Sequence, residues 1–121
     1  MAIKKILIVD DSPTERHVLN SMLSKAGYEV VACGSGEEAI AKSKLIMPDL
    51  ILMDVVMPGL NGFQATRAIS RDAQTKDIPI VFCTSKSLET DKIWGMRQGA
   101  RDYIVKPVTK DELLAKITAL G

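Results

Sequence analysis

The stretch Ile6-Leu7-Ile8-Val9-Asp10-Asp11-Ser12-Pro13-Thr14-Glu15 passes from an apolar run, through two carboxylates, to a helix start within ten residues. Ile6–Val9 is short, unbroken and mostly β-branched, as expected of a strand buried on both faces. Ser12-Pro13-Thr14-Glu15 combines an N-cap serine, a proline at the first helical position and a capping-box glutamate. Beyond it Val18, Leu19, Met22, Leu23 and Ala26 share one face, and Gly27 ends the helix. The stretch therefore predicts a buried strand, an acidic loop at its carboxyl end and a returning helix.

The same unit recurs along the chain. Val30–Cys33, Leu50–Met53, Ile80–Cys83 and Tyr103–Val105 are further short apolar runs. Ser35-Gly36-Glu37-Glu38 and Thr109-Lys110-Asp111-Glu112 read as two more capping boxes, with Leu113, Ile117 and Leu120 as the inward stripe of the last helix. Residues 62–70 and 88–98 fill the remaining helical slots. Five strands alternating with five helices require parallel pairing, because each helix carries the chain back across the sheet. The fold expected is α/β: a doubly wound, five-stranded parallel sheet of strand order 2-1-3-4-5, a flavodoxin-like (βα)5.

Composition narrows the function. At 121 residues and 46% hydrophobic content the chain suits one domain, residues 1–121, with no output domain expected. Sixteen Lys and Arg against fifteen Asp and Glu leave a net charge of +1, which removes the electrostatic case for nucleic-acid binding. Cys33 and Cys83 lie far apart in strand-like runs and read as buried free thiols. The apolar run after Met1-Ala2-Ile3-Lys4-Lys5 is too short for a leader, and no stretch reaches the length of a membrane span. A soluble cytoplasmic protein is expected. His17 has no partner ligand nearby and reads as a surface residue, and Met47, Met53 and Met57 as core filler.

The chemically distinctive residues occupy equivalent places. Asp10 and Asp11 follow the first strand, Asp54 the third, Thr84 the fourth and Lys106 the fifth. In an open parallel sheet, ligands bind beyond the carboxyl ends of the strands where the winding reverses, so the five should share one pocket. Three clustered carboxylates repel unless a cation joins them, and an oxygen-only set suits Mg²⁺. The Thr84 hydroxyl and Lys106 ammonium are donors that a phosphoryl group needs. Asp54, central and followed by a loop, is the candidate nucleophile, forming an acyl phosphate. Taken singly, each has an ordinary role as a turn, cap or surface residue; four strand ends carrying a complementary set do not. Lys106-Pro107 either ends the last strand or, if cis, turns the lysine inward.

These residues carry a family resemblance. Ile6-Leu7-Ile8-Val9-Asp10-Asp11-Ser12, the stretch from Asp49 to Gly62 with Met57-Pro58-Gly59, Thr84-Ser85 and Lys106-Pro107 resemble the receiver domain of two-component response regulators over essentially the whole chain. The resemblance implies transfer of a phosphoryl group from a histidine kinase or phosphotransfer domain to Asp54, self-catalysed and reversed by autodephosphorylation. It implies Mg²⁺ held by Asp11, Asp54 and the Val56 carbonyl, with Asp10 acting through water. Thr84 and Tyr103 would be the switch pair, Tyr103 turning from solvent toward the core as Thr84 moves, and Lys106 the phosphoryl-binding lysine. The output would pass from a monomer to a target protein through the fourth helix, where Trp94 lies, the fifth strand and the fifth helix. Gly59 through Arg67, and Glu89-Thr90-Asp91-Lys92 through Tyr103, are most similar to stand-alone receivers of chemotaxis-like systems controlling type IV pili and twitching motility.

Three rival functions remain. An aspartate-nucleophile phosphohydrolase wants a general acid two residues after the nucleophile, where Val56 stands. A flavin- or nucleotide-binding module wants a glycine-rich loop after the first strand, where Asp10-Asp11-Ser12-Pro13 would repel phosphate. A phosphate sink draining a shared kinase would need the same pocket as a messenger. Val56 and Lys86, two residues beyond Asp54 and Thr84, are the positions expected to tune the site, Lys86 by reaching the phosphoryl group or a partner's acid.

Overall fold

The computed structural model describes residues 2–121. The elements are β1 (Lys5–Val9), α1 (Pro13–Lys25), β2 (Glu29–Cys33), α2 (Gly36–Ile46), β3 (Leu50–Met53), α3 (Gly62–Arg71), β4 (Ile80–Thr84), α4 (Glu89–Arg97), β5 (Asp102–Val105) and α5 (Lys110–Leu120). All pairings are parallel, as the alternation of runs predicts, and the sheet order is β2-β1-β3-β4-β5, the order expected of a flavodoxin-like fold. Successive strand residues face opposite layers. Leu7, Val9, Ile51, Met53, Ile80 and Phe82 pack with Ala39, Ala65 and Ile69 of α2 and α3. Ile6, Ile8, Leu50, Leu52, Val81 and Cys83 pack with Leu19, Leu23, Leu113 and Ile117 of α1 and α5. Both cysteines are buried and free.

Some local expectations shift. β1, β2 and β5 begin one residue earlier than their apolar runs and β4 reaches Thr84, because backbone pairing continues past the last apolar side chain. On α1 the buried line is narrower than the pattern implies: Leu19 and Leu23 are buried, whereas Val18 is 40% exposed. The capping boxes at Ser12, Ser35 and Thr109 are half-formed. Each side-chain oxygen accepts from the amide three residues on, at 3.3, 3.1 and 3.2 Å, but no glutamate returns to the cap amide. The reciprocal pair instead opens α3, where Asn61 Oδ1 accepts from Gln64 N and Gln64 Oε1 from Asn61 N, both at 2.9 Å.

Three features hold the strand ends in place. Asp49 Oδ2 accepts the amides of Lys4 and Lys5, each at 2.9 Å, joining the start of β3 to that of β1. The Gly62 amide donates to the Val55 carbonyl at 2.9 Å, and a Cβ at Gly62 would overlap the Asp54 carbonyl; only glycine lets α3 begin this close to the β3 exit. The rings of Phe63, Phe82 and Tyr103 form a row, with centroids 5.4 and 5.7 Å apart. Gly95, the one buried residue of α4, packs on that row. Among the described residues no helix is long and apolar enough to cross a membrane.

Candidate functional site

Parallel strands deliver their carboxyl ends to one edge of the sheet, and the distinctive residues meet there. Asp10, Asp11 and Asp54 each place one carboxylate oxygen within 4.8 Å of the others. Asp10 and Asp54 are buried while Asp11 is exposed at the rim. Lys106 enters from beyond β5, through a Lys106–Pro107 peptide that is cis. Its Nζ lies 2.7 Å from Asp10 Oδ2, 3.5 Å from Asp54 Oδ2 and 3.7 Å from Glu15 Oε2.

Main-chain donors orient the carboxylates. Asp10 Oδ1 accepts from the Ser12 amide at 2.9 Å, and Asp54 Oδ1 from the Val55 amide at 2.7 Å. Arg16 Nη1 donates to the Asp10 carbonyl at 2.6 Å, and a side chain at Gly34 would crowd that guanidinium. Burial pushes the Asp54 carboxyl above its ordinary range; Lys106 draws it down, Asp10 raises it, and the net shift is upward. For Lys106 burial acts downward, but its hydrogen bond to Asp10 and the charges of Asp54, Asp10 and Glu15 outweigh it, so the ammonium is held above its usual value.

The donor set tests which cation would fit. Three carboxylates, no nitrogen or sulfur ligand among them and a single lysine leave negative charge uncompensated in a partly buried pocket. Hard oxygen donors of that kind suit Mg²⁺.

The remaining expected residues divide. Thr84 is fully buried, with Oγ1 accepting from the Lys86 amide at 3.3 Å. Val56 is 55% exposed and brings no polar side chain. Lys86 points its ammonium to Asp91 on α4, 3.8 Å away. Tyr103 differs from the solvent-facing resting position expected for it: the ring packs on Phe82 and the hydroxyl donates to the Lys86 carbonyl at 2.8 Å. Burial, then the charges of Asp91 and Asp54, push its phenol up to about 12. Trp94 is 48% exposed and His17 lies on the surface of α1. Burial raises the Cys33 thiol to about 11 and that of Cys83 to about 12, which keeps both protonated.

Glu15 and Arg16 belong to the surroundings of the pocket and were missed as such. Glu15 is legible only as a capping partner, since the lysine it faces lies 91 positions further along the chain. Arg16 carries no local signal either; a backbone carbonyl as acceptor leaves no trace in residue types.

Comparison with known proteins agrees with this geometry. The family model for the response regulator receiver domain matches residues 6–118. The chain is 53% identical over 116 residues to Protein PilH of Pseudomonas aeruginosa, with 96% of both chains covered. It is 42% identical to the phosphate regulon regulator PhoB of the same organism, but spans only 51% of that protein's length. Among solved structures, the chemotaxis protein CheY4 of Vibrio cholerae superposes with a TM-score of 0.92 at 35% identity, covering 99% of this chain and 100% of that one. The receiver domain of a Pseudomonas aeruginosa sensor histidine kinase, crystallised with a magnesium ion coordinated in its active-site cleft, superposes with a TM-score of 0.89 at 32% identity, covering 98% and 97%. With its sheet order, its acidic strand ends and its sequence all in agreement, the chain belongs to the family of response regulator receiver domains.

Proposed function

We propose that Asp54 is the phosphoacceptor of a signalling switch. An Asp54 carboxylate oxygen attacks the phosphorus of a phosphohistidine on a histidine kinase or phosphotransfer domain; the P–O bond forms, the P–N bond breaks, and the imidazole leaves with the electron pair. The observation that carries this reading is the convergence of Asp10, Asp11, Asp54 and Lys106 at one sheet edge. Asp11, Asp54 and the Val56 carbonyl, with Asp10 beside them, would hold Mg²⁺, which supplies charge neutralisation for the transferred group. Lys106, 3.5 Å from Asp54 Oδ2, and Thr84 at the end of β4 are the side-chain donors proposed for the new phosphoryl oxygens, and the same site is proposed to return the group to water by autodephosphorylation. The output follows as Thr84 and Tyr103 rearrange and alter the face formed by α4, β5 and α5.

The similarity to PilH and the motifs shared with pilus-system receivers support a place in chemotaxis-like or type IV pilus signalling. Hydrolysis of small phosphate esters is not favoured, because Val56 offers no general acid beside Asp54.

Intact-mass measurement after incubation with acetyl phosphate, with and without Mg²⁺, tests the assignment. One base-labile phosphoryl adduct is expected with Mg²⁺ and none in Asp54→Asn. An adduct retained by that variant would move the acceptor elsewhere.

A further inference from the structure

We propose that Glu15 is a positioning residue that restrains Lys106 and thereby sets the rate at which Asp54 takes up a phosphoryl group. The inference rests on the phosphoacceptor reading above.

Pro13 opens α1, and Ser12 Oγ accepts the Glu15 amide at 3.3 Å, so the first turn is fixed where the β1 strand ends. Arg16, the next residue, reinforces it by donating to the Asp10 carbonyl at 2.6 Å. From this anchored turn the Glu15 carboxylate does not close a capping box but reaches to 3.7 Å from Lys106 Nζ. It is the third carboxylate within ion-pair distance of Lys106, after Asp10 and Asp54, and the one that lies outside the acidic cluster.

Lys106 is 2.7 Å from Asp10, 3.5 Å from Asp54 and 3.7 Å from Glu15, so its ammonium is shared among three anions. To bind a phosphoryl oxygen on Asp54 it must loosen its hold on the others. Asp10 and Asp54 belong to the reacting site itself. Glu15 does not: its side chain is 42% exposed, whereas that of Lys106 is 15% exposed, so Glu15 pulls the ammonium from the solvent side. A ligand shifts an equilibrium only by its differential interaction with the two states, and Glu15 offers the ammonium a competing anion that the reacting site does not contain, so its pull opposes a full shift of the lysine onto the phosphoryl oxygens. The ordinary role of an acid in a first helical turn, favourable contact with the helix dipole, would affect stability and leave phosphoryl uptake unchanged.

Two variants separate the lysine contact from bulk charge. Glu15→Gln keeps the length and removes the charge; Glu15→Asp keeps the charge and its favourable place in the first helical turn but draws the carboxylate back from Lys106. Uptake from acetyl phosphate at saturating Mg²⁺ is followed by intact mass, with thermal midpoints recorded for each protein. Both variants are expected to take up the group roughly two- to five-fold faster than the wild type, the size a solvent-edge ion pair allows. Acceleration by Glu15→Gln alone would mean repulsion of the anionic donor by rim charge, and would overturn the role assigned to Lys106 restraint. Unchanged or slower uptake in both overturns it as well. A wild-type protein that forms no adduct would instead bring down the phosphoacceptor reading, which keeps the two failures distinct.

Discussion

Tyr103 donates its hydroxyl hydrogen to the main-chain carbonyl of Lys86 across 2.8 Å, tying β5 to the segment that leads from Thr84 into α4. Tyr103→Phe keeps the ring on Phe82 and removes this tie. The expected cost is about 1 kcal/mol, the size of one hydrogen bond, with faster amide exchange after Thr84. The phenol titrates near 12 when folded against an ordinary value of 10.0, so folding favours the neutral form. That contribution is whole below pH 10.0 and is lost as pH rises toward 12. Urea titrations across that range should show a steeper alkaline loss in the wild type than in the variant.

Asp49 has the opposite pH signature. The amides of Lys5 and Lys4 hold its carboxyl below the usual carboxylate range. The stability it gives is present above its unfolded value of 3.8 and disappears as pH falls through the lower folded value. Asp49→Ala should cost about 1–3 kcal/mol near neutrality, since two amides lose a charged acceptor. Denaturation curves of wild type and variant should converge in acid; a gap that persists there would place the loss elsewhere.

Met47 ends α2 with φ of 46°, the left-handed region, and its side chain is half exposed. Met47→Gly relieves the Cβ clash while adding freedom to the unfolded chain, for a net gain of roughly 0.5–1 kcal/mol. A thermal midpoint at or below the wild-type value would contradict this.

Gly62→Ala forces a methyl group into the Asp54 carbonyl. Displacement of α3 or of the β3 exit is expected to destabilise the protein by about 1–3 kcal/mol. Because the moved backbone carries Asp54, phosphoryl uptake should also fall in protein that remains folded.

The fold was readable because buried parallel strands appear as unbroken apolar runs and helix starts carry their own signal, as Ser12-Pro13 does. The pocket was readable because chemically distinctive residues recur at strand ends. What escaped were contacts whose partners lie far along the chain or in the backbone: Asp49 with the Lys4 and Lys5 amides, Glu15 with Lys106, Arg16 with the Asp10 carbonyl. Asn61 and Gln64 carry a readable signal, since Asn-x-x-Gln has the spacing of a capping box, but Pro58-Gly59 and Asn61-Gly62 are equally turn-forming, so residue types alone leave the start of α3 open. Tyr103 was placed outward because nothing in sequence shows that Gly95 opens a seat for its ring beside Phe82.

That seat has a consequence for divergence among relatives. α4 runs from Glu89 to Arg97 and buries only Gly95, so the helix is held by close backbone approach rather than by interlocked side chains. Substitutions at its exposed positions, such as Ile93, Trp94 and Met96, cost the fold little. If this face is the recognition surface, as proposed above, it can drift toward a new partner by single mutations, each thermodynamically almost silent, while the glycine beneath it holds the helix in place.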